Sequence, residues 1–490
     1  MKELFVVSTL YQTVALAAAI DEGVIPPASG ERILVLSNNS LIPEVSVPFH
    51  EAPGFAEAAS RFDRTVDLNA LVWPRRPGQF NPRAEELYMW QRVLRALWDL
   101  GDDRVELYVE SIQVNPAVAL CRIFSSARIS VHSDGLMSYG PTRNPISREM
   151  AQRFKSLIYV DLVPGLVPQL LRENNPTLVP VDRTALRRGM EELARALPEE
   201  HTTLSAFSGT PAADRQKSGA RAEAAGQPTA LVLGQYLSEL NILSSDEEIE
   251  LHRAMLQKAL DRGIRYCVFK PHPSAGPGAV TSIQAAAAEL GLELHVLTST
   301  SPAEVVMQRL KPDLVVSCFS TALMTAKYLF NIDVAAVGTD VLLERLTPYE
   351  NSNRIPVTII DALLERGYAA PAEIPGGDGT DGAKTDGAGT DSTGTDGDGA
   401  AAPLQRLVET VAYCMQPDAL AAVRPSAEAF LATADGSPDM RYFKRRRLTK
   451  LELPGALPPR EPTPSRSRHP LHRARRVGIR WARRLARRTP

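Results

Sequence analysis

Short apolar runs alternate with amphipathic stretches along most of this chain. Residues 4–7 are apolar, a polar loop and a small-residue helix over 14–21 follow, and residues 32–37 form a second apolar run. Runs of that length predict buried strands, and their order predicts a β-α-β start. Over 82–100, Leu87, Trp90, Val93, Leu94, Leu97 and Trp98 recur at helical spacing, with Asn81 and Pro82 suited to the N-cap and first helical position. Strand, helix and strand follow at 105–109, 116–124 and 127–132, and the chain turns at Ser133-Asp134-Gly135. Strands alternating with helices predict a parallel sheet.

Residues 205–228 are small, polar and helix-poor, which predicts a linker between two domains. A second alternating unit begins at 229–233 and ends that strand in Gly234-Gln235. Ser245-Asp246-Glu247-Glu248 is expected to form a capping box and open a helix to about residue 261. A β-branched and aromatic strand at 264–269 then stops at Lys270-Pro271-His272-Pro273, because Pro cannot continue a central strand. Helices at 282–290, from 301 and at 321–329 alternate with strands at 294–297, 314–317 and 334–337. The fold class read from this pattern is α/β, with an N-terminal Rossmann-like domain over 1–204 facing a second over 229–375.

Charge is unevenly distributed. Residues 441–490 hold 17 Lys and Arg against two acids, so a tail of +15 in a chain of net −2 leaves the first 440 residues at −17. Between 376 and 403 the chain is a loose Gly/Thr/Asp/Ala repeat with nothing apolar to bury, which predicts a disordered acidic linker. Asp396-Gly397-Asp398 within it matches a metal-binding Asp-x-Asp pattern by composition alone. A helical segment at 404–440 is expected to pack back on the body, and 441–490 to form a basic tail. Cys121, Cys267, Cys318 and Cys414 are widely separated and lack metal-ligand spacing, which suits a reducing compartment. The polar residues Ser8, Thr9, Gln12 and Thr13 interrupt the N-terminal apolar run, so it reads as strand and helix rather than a leader. No run reaches the roughly 18 residues of a membrane span. The expected location is cytoplasmic.

Three places could carry chemistry. Asp134 follows a strand on a tight turn, where a carboxylate can act as a base and Gly135 would permit a positive φ, although Asp-Gly also simply makes turns. Lys270 and His272 stand at the carboxyl end of a strand, where open α/β sheets bind ligands, and suit an anionic leaving group. Ser320 and Thr321 open a helix, where hydroxyls and free N–H groups hold phosphate or serve as an ordinary N-cap. Glu304 is equally accounted for by a capping box with Ser301 and Pro302.

The ordered series Ser133-Asp134-Gly135, Lys270-Pro271-His272-Pro273 and Phe319-Ser320-Thr321 resembles the bacterial sialyltransferases, in particular the α-2,8-polysialyltransferase-like proteins. The opening Val6-Val7-Ser8-Thr9-Leu10-Tyr11-Gln12 is also similar, and the resemblance covers roughly residues 1–350. It implies a GT-B glycosyltransferase and an inverting transfer from CMP-sialic acid to a glycan hydroxyl of a surface or capsule polysaccharide or a glycolipid. Asp134 would be the general base and His272 would assist CMP departure. Gly234, Gln235, Lys270, Pro273, Glu304, Ser320 and Thr321 would bind the donor, Glu304 at the ribose. No metal or other cofactor is implied. The family's first acidic position is Ser133 here, so Asp134 alone is expected to be the base.

Two other readings remain open at this level. One is a GT-B transferase using another activated donor, such as a CDP-linked one of the teichoic-acid type. The other is a non-catalytic protein whose arginine-rich tail binds nucleic acid. That tail has few aromatic residues for base stacking, and its basic amphipathic pattern suits the anionic inner face of a cell membrane better.

Overall fold

The computed structural model describes residues 1–39, 48–196, 227–272, 277–297, 301–373 and 402–458. Two parallel sheets carry the architecture. The first contains β1 (Lys2–Val7), β2 (Glu31–Leu36), β3 (Arg64–Asp67), β4 (Val105–Val109), β5 (Arg128–Ser133), β6 (Phe154–Val160) and β7 (Thr177–Val181), in the order β3-β2-β1-β4-β5-β6-β7. The second contains β8 (Thr229–Leu233), β9 (Tyr266–Lys270), β10 (Glu293–Val296), β11 (Leu314–Ser317) and β12 (Asp333–Ala336), in the order β10-β9-β8-β11-β12. Helices cover both faces of central strands such as β1 and β9, so these strands are buried almost throughout and read as continuous apolar runs. The strands β3, β6 and β7 were not expected. β3 and β7 are edge strands, where a polar Arg-Thr-Val-Asp or a proline (Pro180) is tolerated.

Several helix starts differ from the sequence expectation. The first helix begins at Leu10, because Thr9 accepts a hydrogen bond from the Gln12 amide N–H at 3.1 Å. Pro82 lies outside its helix. The Glu86 carboxylate accepts from the Arg83 N–H at 3.0 Å, closing a 3₁₀ turn (Ala84–Glu86) before the helix Leu87–Leu97. Leu97 is 62% exposed and does not join the core, whereas Trp98 does. The capping box before residue 261 is Ser244 with Glu247, one position earlier than expected. The helix Ala303–Leu310 has Pro302 as its N-cap and no side-chain cap, so Glu304 is not held in a capping box.

One apolar cluster fills one face of the first sheet and continues into the second domain, and a separate cluster fills the other face. Between the domains, the helix Arg183–Ala196 packs on Ala303–Leu310, where Arg309 Nε donates to the Ala194 carbonyl at 2.9 Å. The helix Pro403–Met415 ties back to the first domain. Gln405 Oε1 accepts from the Val167 N–H at 2.8 Å, and Glu409 pairs with Arg172 at 2.7 Å. The basic tail starts later than residue 441. Tyr442, Phe443, Leu448 and Leu453 are buried, so residues 441–458 belong to the body. Apart from 227–228 and 402–403, the expected linkers fall outside the described residues, as do 459–490 and Pro273.

Candidate active site

A ligand crevice in an open parallel sheet forms beyond the carboxyl ends of the strands, where strand order reverses. The first sheet reverses between β1 and β4, and the second between β8 and β11.

At the first reversal stand Gln12, in the opening turn of the helix after β1, and Glu110, the residue after β4. Asp134 follows β5 on the neighbouring strand. Gln12 Oε1 accepts from the Ser8 N–H at 2.8 Å, which turns Nε2 outward to donate to Glu110 Oε2. Burial raises the Glu110 carboxyl to about 7, and the Asp134 charge adds to the rise. Burial also raises Asp134, while hydrogen bonding from its own backbone and from Gln12 eases its ionisation.

Gly135 does not adopt the expected positive φ. At φ −138° and ψ −176° it is extended, and its use is close approach. A Cβ there would stand 3.3 Å from Thr321 Oγ1. The next amide, Leu136 N–H, donates to that same hydroxyl at 3.4 Å. The turn after β5 and the helix start after β11 thus meet across the cleft. Ser133 looks elsewhere, with its Oγ 2.9 Å from the Ser138 hydroxyl.

At the second reversal Gln235 Nε2 donates to Ser317 Oγ at 3.1 Å, which in turn donates to the Leu233 carbonyl at 3.1 Å. The Gln235 side chain therefore links the ends of β8 and β11. Gly234 is required by crowding, since a Cβ would lie 2.8 Å from the Phe269 ring and 3.3 Å from Pro271 Cα. His272 stacks on Tyr236 with ring centroids 3.9 Å apart. Burial, then the neighbouring Lys270 charge, pushes His272 down to about 4, so the ring is neutral at neutral pH. Lys270 is buried, which lowers its pKa against the pull of Glu304.

Burial raises Glu304 in turn. Its own backbone N–H, Lys270 and Thr325 favour its charged form, and Asp134 opposes it. Glu304 therefore lies in the field of both Lys270 and Asp134. Ser320 Oγ accepts from the Ala322 N–H at 3.3 Å, while Thr321 turns its hydroxyl toward Gly135. Glu110, Gln12 and Tyr236 escaped the sequence reading. The available signal was position for Glu110, which directly follows a strand as Asp134 does, whereas Gln12 lies in the helix after β1 and Tyr236 three residues past β8. Among the described residues no group of three or more His, Cys, Asp and Glu could hold a metal ion.

A family model described as alpha-2,8-polysialyltransferase (POLYST) matches residues 3–339. The chain belongs to the alpha-2,8-polysialyltransferase family. It is a glycosyltransferase of the sialyltransferase kind with a GT-B fold. Among solved structures, this polysialyltransferase-family chain is similar to the GT-B domain of a Photobacterium damselae sialyltransferase. The two share 12% identity at a TM-score of 0.37, over 74% of this chain and 96% of that one. A glycosyltransferase from Rickettsia africae shares 12% identity at a TM-score of 0.38, over 68% and 78% of the two chains. The UDP-GlcNAc 2-epimerase of Methanocaldococcus jannaschii shares 10% at 0.39, over 68% and 83%. No curated protein sequence matches the chain.

Proposed function

We propose that the donor is CMP-sialic acid, transferred with inversion to a hydroxyl of a glycan acceptor such as a surface polysaccharide or glycolipid. Asp134 takes the hydroxyl proton as the acceptor oxygen forms its bond to the anomeric carbon of sialic acid. The bond from that carbon to the phosphate oxygen breaks, and its electron pair leaves on CMP. Lys270 and His272 face the departing phosphate, Ser320 and Thr321 bind it, and Gln235 and Glu304 line the nucleotide side. Sialyl transfer passes through a cationic sugar and releases a phosphate, so it needs a base on one wall and anion stabilisers on the other. The reading requires no metal. It also takes the basic residues beyond 458 to an anionic membrane surface at the inner face of the cell, where they would hold the enzyme close to a lipid-linked acceptor.

The observation that carries this reading is the contact of the Asp134-Gly135 turn with Thr321 Oγ1, 3.4 Å from the Leu136 amide nitrogen. It supports the reading by bringing the turn that carries Asp134 against the helix start that carries Ser320 and Thr321. The test is CMP release from CMP-sialic acid with a panel of glycan acceptors, for the wild type, Asp134→Ala and His272→Ala. Both variants should lose at least about a hundredfold in kcat while remaining folded by circular dichroism. Wild-type protein that neither releases nor binds CMP would overturn the donor assignment. Turnover that survives Asp134→Ala would place the base elsewhere.

A further inference from the structure

We propose that Glu110 is a positioning residue for Asp134: held by the Gln12 amide at the neighbouring strand exit, it sets a second carboxyl beside Asp134 whose charge strengthens that base. The inference rests on the proposed role of Asp134.

The geometry begins with strand order. β1, β4 and β5 lie side by side, with Val109 of β4 level with Val131 of β5. The chain leaves all three strands on the same edge, so Gln12, Glu110 and Asp134 gather there. Gln12 is buried, and its backbone N–H and side-chain oxygen are committed to Thr9 and Ser8. Its amide nitrogen is therefore oriented before any substrate arrives. That nitrogen carries two hydrogens. One donates to Glu110 Oε2, and hydrogen bonding from Gln12 also favours the charged form of Asp134. The oriented amide holds the Glu110 carboxyl at the strand exit next to the one that carries Asp134.

Ser133 makes this arrangement consequential. The Ser-Asp-Gly turn offers one carboxyl, and the Ser133 hydroxyl faces Ser138 within its own loop. Glu110 brings a second carboxyl from the adjacent strand. The groups acting on Glu110 are Ser8 and Gln12 from the β1 exit and Asp134 from the β5 exit. Its own backbone N–H and then Gln12 favour the charged form of Asp134, with Tyr11 and Glu304 also in its field.

The pH consequence has a definite sign. Glu110 titrates at about 7. Below that pH it is neutral and leaves Asp134 a weaker base. Above it, a second negative charge in a poorly solvated crevice makes Asp134 harder to ionise and so better able to accept a proton. Turnover by Asp134 should rise as pH passes through 7.

The test is the pH dependence of CMP release by the full chain between pH 5.5 and 9, for wild type, Glu110→Gln, Glu110→Asp and Asp134→Asn. Wild type should show a rising limb in kcat near pH 7. Glu110→Gln should flatten that limb and lower kcat at pH 8 by about tenfold, with KM for the donor within about twofold. Glu110→Asp keeps the charge and should recover part of the limb. An unchanged limb in Glu110→Gln would overturn the proposal. So would loss of turnover at every pH in Glu110→Gln with survival of Asp134→Asn, because Glu110 itself would then be the base. Carboxyl titration by carbon-13 NMR, with Glu110 assigned through Glu110→Gln, needs no turnover. The Glu110 midpoint should fall in Asp134→Asn, and an unmoved midpoint would overturn the coupling. If wild type shows no turnover, the donor reading fails, and this titration still decides whether the two carboxyls are coupled.

Discussion

His272 sits against Tyr236 with its ring pushed down to about 4 by burial and then by Lys270. A phosphate seated beside Lys270 would offset that cation and favour the imidazolium, raising the His272 pKa. Histidine NMR titration of the free protein and its CMP complex should show a rise of about one unit or more on binding. No rise would separate His272 from the phosphate. Much of the site was legible residue by residue, since Asp134, Lys270, His272, Ser320 and Thr321 all stand where a strand ends or a helix begins. Gly135 was singled out for conformational freedom, yet its φ of −138° shows that the absent Cβ matters because Thr321 lies so close. Glu110 was not legible, because a single Glu after a strand looks like any surface carboxylate until Gln12 and Asp134 are placed around it.

Among the elements, the helix Arg354–Glu365 carries a fully buried Asp361. Thr339 Oγ1 donates to Asp361 Oδ1 at 2.7 Å and Tyr442 Oη donates to Oδ2 at 2.8 Å. Arg441 and Arg366 approach the same carboxylate at 3.4 and 3.8 Å. This one residue ties the helix to the segment beginning at 441. Asp361→Ala would leave these donors and cations without their acceptor in a buried place, so it should cost about 3–5 kcal/mol in denaturant unfolding. A cost below about 1 kcal/mol would mean that the clamp contributes little. Periodicity found most of the strands and helices and misplaced several starts. Caps are set by single side-chain hydrogen bonds, and Ser244, not Ser245, reaches the Glu247 N–H at 3.2 Å. That one-residue difference leaves Glu248 to accept from the Leu237 and Ser238 N–H groups at 2.6 and 3.1 Å, holding the loop that carries Tyr236.

For the whole molecule, the division between body and tail determines how membrane binding is tested. Removing residues 441–490 would take away Tyr442 and Leu448, both fully buried, and the Arg447 side chain that donates to the Cys414 carbonyl at 2.7 Å. Truncation after residue 458 spares these contacts and removes 11 arginines against one acid. The shorter truncation should keep its melting temperature and lose salt-sensitive binding to anionic liposomes, whereas truncation after 440 should unfold at lower temperature. Liposome binding that persists after truncation at 458 would assign the membrane contact to the body. Among the described residues no helix is long and apolar enough to cross a membrane.

The sequence by itself determined the alternation of strand and helix, the two α/β units and the ordered motifs at strand ends. Apolar runs can be buried in few ways, and proline and glycine punctuate them locally. Tertiary structure decided which strand ends lie side by side, and thereby joined Asp134-Gly135 to Thr321 and Glu110 to Gln12. It also decided that residues 441–458 belong to the body. Such pairings depend on strand order and on the packing of one domain against the other, which bring together residues far apart in the chain. No local pattern of side chains encodes that distance.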